Sequence, residues 1–145
     1  MAINTERLGL ILQNFVSATS DVQGAALVTP DGLPLVTNLP GAMDEERVSA
    51  MSAAMLSLGE RIGKELARGT IDRLYVEGDE GFSILTSCGQ DAVFLVLAGK
   101  TAKQGVLMLE IKRAVSDLRS TLFNVGQPRP EPSIGMMSRA RPARA

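Results

Sequence analysis

The sequence contains no histidine and no tryptophan, one cysteine and one tyrosine, and aromatic residues make up only 3% of it. Each scarcity excludes a class of function. Without histidine there is no Ser-His-Asp or Cys-His nucleophile, no His-ligated metal, and no use of the commonest general acid or base. With Cys88 alone, neither an intramolecular disulfide nor a cysteine-rich zinc site can form, which fits a reducing compartment and sets a cytoplasmic location as the expectation. The acidic, aromatic-poor body offers neither the basic patch nor the stacking platforms that nucleic acid requires, so no nucleic-acid partner is expected. The longest apolar run, Ala92 to Ala98, is too short to span a bilayer, and the opening MAINTERLGL has neither a basic n-region nor a small-residue cleavage site. We therefore expect no integral membrane segment and no secretion.

What remains is a chain of 145 residues, 45% hydrophobic, which suffices for one domain with a genuine core. Its formal net charge of −1 is unevenly spread: residues 126–145 carry Arg129, Arg139, Arg141 and Arg144 against Glu131 alone. That segment also holds four of the seven prolines and little to bury, so it cannot offset the entropy of ordering. The expected organisation is a domain over 1–125 followed by a flexible tail over 126–145.

Within the domain the apolar periodicity changes repeatedly. Leu8, Ile11, Leu12 and Phe15 recur at helical spacing, giving a first helix over Thr5 to Ala18 with Glu6 near its positive end. VQGAALVT (22–29) and LPLVTN (33–38) are short apolar runs joined by Pro30-Asp31-Gly32, a hairpin signal. Pro34 cannot donate a ladder hydrogen bond, which places its strand at a sheet edge. Asp44-Glu45-Glu46 caps a second helix whose end is marked by Lys64, Arg68 and Gly69, the last as the left-handed residue after the helix. IDRLYVE (71–77), FSILTSC (82–88) and AVFLVLA (92–98) read as a three-stranded meander. A third amphipathic helix starts at Gly105 and carries Leu107, Ile111, Val115, Leu118 and Leu122. The order α-ββ-α-βββ-α is α+β around a single antiparallel sheet.

Several groups invite a chemical reading and lose it. Gly99-Lys100-Thr101 follows a strand, as the end of a phosphate-binding loop would, but the required upstream glycine is Phe94, inside an apolar strand. Lys100 and Lys103 are read as solvated loop charges with a residual weak anion site. Asp79 and Glu80 are turn residues between glycines, and Cys88 is a small core or sheet-face residue. No catalytic residue, no metal and no cofactor is assigned.

The surface is more informative. On a helical wheel the second helix carries Val48, Met51, Met55, Leu58, Ile62 and Leu66 in one stripe, with Ser52, Leu56, Gly59 and Gly63 beside it. This uncharged arc is wider than packing on one sheet requires, so part of it is left to meet something else. Gly59 and Gly63 weaken the helix, by roughly 1 kcal/mol each relative to Ala, unless they admit another backbone. That backbone is either a second subunit's helix, the reading preferred here, or a neighbour within the monomer. The strand Ile71 to Glu77 has no Pro, Gly or Lys to blunt it as an edge, and self-pairing centred on Tyr75 would set Arg73 opposite the second copy's Glu77. The expected dimer interface is thus Met51, Met55, Leu58, Gly59, Ile62, Gly63, Ile71, Arg73, Tyr75 and Glu77.

The order of elements, the segment GAALVTPDGLPLVTNL, the capped second helix and LYVEGDEGFSILTSCGQDAVFLVLAGK together resemble the roadblock/dynein light chain family over about residues 3–125. The resemblance implies a profilin-like sheet of order 2-1-5-4-3, with the Pro34 strand at one edge and the Ile71 strand at the other. It also implies a homodimer with a continuous two-subunit sheet, and a Ras-like small GTPase as partner. On this reading the protein is a non-catalytic scaffold that regulates or localises the GTPase. Arg47, Arg61 and Arg113 are conceivable arginine fingers, but no motif separates them from solvated charges. Two other readings stay open: a small-ligand sensor of profilin or PAS-like fold, and an assembly protein acting through its basic tail.

Overall fold

The computed structural model describes residues 4–126, in the order α1 (Thr5–Ala18), β1 (Val22–Val28), β2 (Pro34–Asn38), α2 (Glu45–Glu65), β3 (Arg73–Gly78), β4 (Gly81–Ser87), β5 (Val93–Gly99) and α3 (Gln104–Gly126). The five strands form one sheet in the order β2-β1-β5-β4-β3, with every neighbouring pair antiparallel. This is the α+β architecture and the strand order that the sequence led us to expect. Helix α3 runs one residue past the expected domain boundary at 125, and the rest of the basic tail lies outside the described residues.

Local chemistry fixes the ends of these elements. Asn4 caps α1 by accepting from the Arg7 amide at 3.1 Å. At the β1–β2 turn the Thr29 hydroxyl accepts from the Leu33 amide at 3.0 Å, and Gly32 takes φ +94°. Leu33 is left exposed and β2 starts at Pro34, opposite Val28, where the register shifts. A residue without an N–H is tolerated there because β2 is an edge strand.

Burial divides between the two faces of the sheet. On one face α1 and α3 enclose Leu8, Leu12, Phe15, Phe94, Ile111 and Leu118, and the rings of Phe15 and Phe94 meet edge to face at 5.4 Å. On the other, α2 alone covers Ala26, Val28, Leu85, Val93 and Leu95, chiefly through Leu56. Strand β5, central and covered on both faces, is apolar almost throughout for that reason. Cys88 belongs to the α1/α3 core, and burial pushes its thiol up to about 12 despite the nearby Arg119 charge.

Candidate interaction surface

Helix α2 begins at Asp44, whose carboxylate accepts from the amides of Glu46 and Arg47 at 3.1 and 3.3 Å. The face it turns to the sheet is built from small residues around Leu56: Ser49, Ser52, Ala53, Leu56, Gly59 and Gly63 are buried. The buried Ser49 hydroxyl is satisfied by donating to the Glu45 carbonyl at 2.7 Å. The large residues of the expected stripe face outward, with Met51 55%, Leu58 53%, Ile62 49% and Leu66 61% exposed, and Met55 is also exposed. Val48 alone of that stripe turns inward, against the α2-side core.

The two helix glycines therefore have a different explanation from the preferred one. A β-carbon on Gly59 would lie 3.2 Å from Leu74 Cδ1, and one on Gly63 would lie 2.6 Å from Ile71 Cδ1. The close approach that offsets their helix-weakening effect is with the chain's own β3 segment. Gly59 and Gly63 thus lie beneath the outward surface, and Ile71, half-buried under Gly63, supports it from below.

The end of α2 also corrects an expectation. The Arg68 amide donates to the Gly63 carbonyl at 2.7 Å and the Ala67 amide to Lys64 at 3.1 Å, the paired bonds of a Schellman termination. The left-handed residue that directly follows the helix cap is Ala67, at φ 57°, and Gly69, at φ 89°, stands two residues beyond it. The last helical turn closes earlier than the glycine suggested, and an alanine bears the unfavourable conformation.

Strand β3 is the free edge of the sheet beside this helix. Arg73, Tyr75 and Glu77 pair with Thr86, Ile84 and Phe82 of β4, so all three stand on the α1/α3 side. Tyr75 is 45% exposed, donates to Met108 Sδ at 3.0 Å and meets the Phe82 ring at 6.3 Å. Arg73 is ion-paired to Asp72 at 2.8 Å, while its Nε atom is buried without a partner. Leu74 and the exposed Val76 point to the α2 side. Because Gly59 and Gly63 pack over Leu74 and Ile71, the outward row Leu58, Ile62 and Leu66 lies alongside that edge, and with Arg61 and Glu65 it forms an apolar groove of about 510 Å³.

Leu66 lines this groove and Val76 is exposed on the edge strand, although the sequence reading did not place either in the expected interface. The signals were present: Leu66 continues the i, i+4 row from Ile62, and Val76 alternates with Tyr75 on an edge strand.

Of the remaining candidates only Arg61 borders the groove. Asp79 and Glu80 are exposed in the β3–β4 turn, and among the described residues no three His, Cys, Asp or Glu side chains form a group that could hold a metal. Phe94 is fully buried, so no phosphate cradle precedes Gly99, and Thr101 instead donates to the Asp21 carboxylate at 3.4 Å. Arg47 and Arg61 are solvated on α2, whereas Arg113 pairs with Glu110 at 3.3 Å. No helix among the described residues is long and apolar enough to cross a membrane.

Comparison with known proteins gives a consistent result. The family model of the Roadblock/LC7 domain matches residues 8–98. Two uncharacterized proteins of Methanocaldococcus jannaschii are each 29% identical over 105 residues, covering 72% of this chain and 91% of theirs. Among solved structures, a Roadblock/LC7 domain from Streptomyces avermitilis superposes with a TM-score of 0.75 at 23% identity, over 80% of this chain and 98% of that one. MglB of Myxococcus xanthus superposes with a TM-score of 0.79 at 14% identity, over 90% and 98% of the two chains.

Proposed function

The chain belongs to the Roadblock/LC7 domain family, and on that premise we propose that it works in the cytoplasm as a non-catalytic homodimeric scaffold that binds a Ras-like small GTPase and regulates or localises it. The observation that carries the dimer is the arrangement of α2: its small residues are spent on the sheet and its large ones, Met51, Met55, Leu58, Ile62 and Leu66, face solvent beside an unpaired strand edge. A contiguous apolar surface next to an open edge is an association surface, because pairing satisfies the edge amides while the side chains leave water.

A two-fold axis through Tyr75 makes β3 pair antiparallel with its own copy and extends the sheet through both subunits. Arg73 then stands opposite the second copy's Glu77, twice. The unpartnered Arg73 Nε supports this register, since a second carboxylate acceptor across the axis would satisfy it. The GTPase is what the family resemblance implies. The absence of histidine favours a scaffold over a hydrolase, leaving the catalytic groups to the GTPase. Such a scaffold acts by preferring one conformation of the switch segments over the other, and its effect is bounded by that difference in affinity.

Light scattering on the protein alone, then with Ras-like GTPases from the same cell loaded with GDP or a GTP analogue, tests both parts. A dimer that forms a nucleotide-dependent complex is the expected result. A monomer that binds neither form would sink the proposal.

A further inference from the structure

A second concave feature lies away from α2 and β3, between the β4–β5 turn and the C-terminal half of α3. It is a cleft of about 620 Å³ whose floor is Cys88, Val115 and Leu122 and whose rim includes Gly89, Gln90, Asp91, Lys112, Ser116, Arg119 and Ser120. That volume falls within the range of small-molecule sites, roughly 300–1,000 Å³.

The rim carries two cations, Lys112 and Arg119, against one acid. Lys112, Ser116, Arg119 and Ser120 stand at i, i+4, i+7 and i+8, on one face of α3, and all are exposed. Among the described residues the ion pairs are Arg73–Asp72 and Arg113–Glu110, so neither Lys112 nor Arg119 is neutralised by a carboxylate. Asp91 is the single acid on the rim. The Arg119 Nε atom lies 3.7 Å from where a β-carbon on residue 89 would stand, which places the guanidinium beside the turn that Gly89 makes at φ +76°.

We propose that this cleft binds a small phosphorylated molecule, with Arg119, Ser116 and Ser120 on one phosphate and Lys112 on a second anionic group. A guanidinium fork flanked by two hydroxyls matches the several acceptor oxygens of a phosphate. Seven residues of helix separate Lys112 from Arg119 by about 10 Å along the axis, which favours an extended ligand carrying charge at more than one point. The floor is apolar, and the Cys88 thiol stays protonated at neutral pH, so nothing beneath the ligand repels an anion. The site does not overlap the proposed dimer surface and stands whether or not the GTPase reading holds.

Calorimetric titration of the full chain with inorganic pyrophosphate tests the assignment, with citrate as a carboxylate of similar charge and the Val115 and Leu122 methyl resonances as local reporters. Saturable binding of pyrophosphate in preference to citrate is expected, weakened about tenfold by Arg119→Gln or Lys112→Gln, the scale of one charged hydrogen bond. Lys100→Gln, at the far end of β5, leaves it unchanged. No saturation at millimolar pyrophosphate, equal or tighter binding of citrate, or an Arg119→Gln protein that binds as the parent does would each overturn the proposal.

Discussion

Replacing Leu58 and Ile62 together by alanine probes the proposed association surface, because both side chains are about half exposed in the single chain. Complete burial of a Leu or Ile side chain is worth about 1.5–3 kcal/mol, so the half still exposed represents about 0.8–1.5 kcal/mol at each position. Two-fold symmetry makes that four side chains per dimer, or about 3–6 kcal/mol, which weakens dimerisation by about a hundredfold to ten-thousandfold. The half already buried in the single chain is worth as much by the same measure, so the fold itself loses up to about 1.5–3 kcal/mol for the pair, which has to be read apart from association. Sedimentation equilibrium across a concentration series reads the dimer constant. Circular dichroism melts at a concentration where both proteins are monomeric read the fold separately, because association makes the melting point concentration-dependent. A double variant that dimerises as tightly as its parent would place the interface elsewhere. One that loses its fold along with its partner would show that the two side chains support the core.

Ala67→Gly should stabilise the protein by about 1 kcal/mol in urea unfolding, because glycine tolerates the left-handed conformation that alanine holds at φ 57°; an unchanged midpoint would mean the strain is relieved elsewhere. Gly63→Val should destabilise by about 2 kcal/mol or more in the same assay, its β-carbon meeting both Ile71 and the Gly69 carbonyl, the latter at 3.1 Å, whereas Gly59→Ala, facing only the movable end of Leu74, should be near neutral. Cys88 has its thiol raised from 9.0 to about 12 by burial, so its contribution to stability is fully present below pH 9 and is lost as the pH rises towards 12. Denaturant midpoints measured across that window should fall more steeply for the parent than for Cys88→Ala, and parallel slopes would contradict the burial argument.

The fold was largely legible because its determinants are local. Turn residues at Pro30-Asp31-Gly32 and Gly78 to Gly81, the Asp44 cap, and the change from period 3.6 to period 2 mark all eight elements to within two residues at their clearest ends. Helix α3 was legible at its start, and its end at Gly126 falls one residue past the expected domain boundary. Strand β3 was expected from Ile71 but starts at Arg73. Asp72 leaves the ladder because its carbonyl accepts from the Thr86 hydroxyl at 3.0 Å, a side-chain bond that no periodicity announces. Gly69 misled in the same way, for a Schellman turn is set by where the last carbonyls find donors and not by where the nearest glycine stands.

The orientation of α2 was legible in part: Met51, Met55, Leu58 and Ile62 were expected to face away from the sheet and do, whereas Gly59 and Gly63, expected beside them, are buried, and the reason is geometric. A wheel ranks faces by apolarity and assigns the most apolar one to the core, which is sound when a helix has one neighbour. Here the sheet side is crowded: Leu74 and Ile71 rise from the β3 segment to within contact of the helix backbone, so the row facing them must be small. Ser49, Ser52, Gly59 and Gly63 score poorly as core residues and are nonetheless the ones buried. Bringing the helix that close displaces Met51, Met55, Leu58, Ile62 and Leu66 outward. A row of large apolar side chains would be retained on a solvent-facing surface only if something covers it. The close seat of the helix is therefore itself an argument for the second subunit: the glycines do not touch the proposed interface, but draw α2 down until its large apolar row stands beside the β3 edge, where one partner can cover helix and strand together.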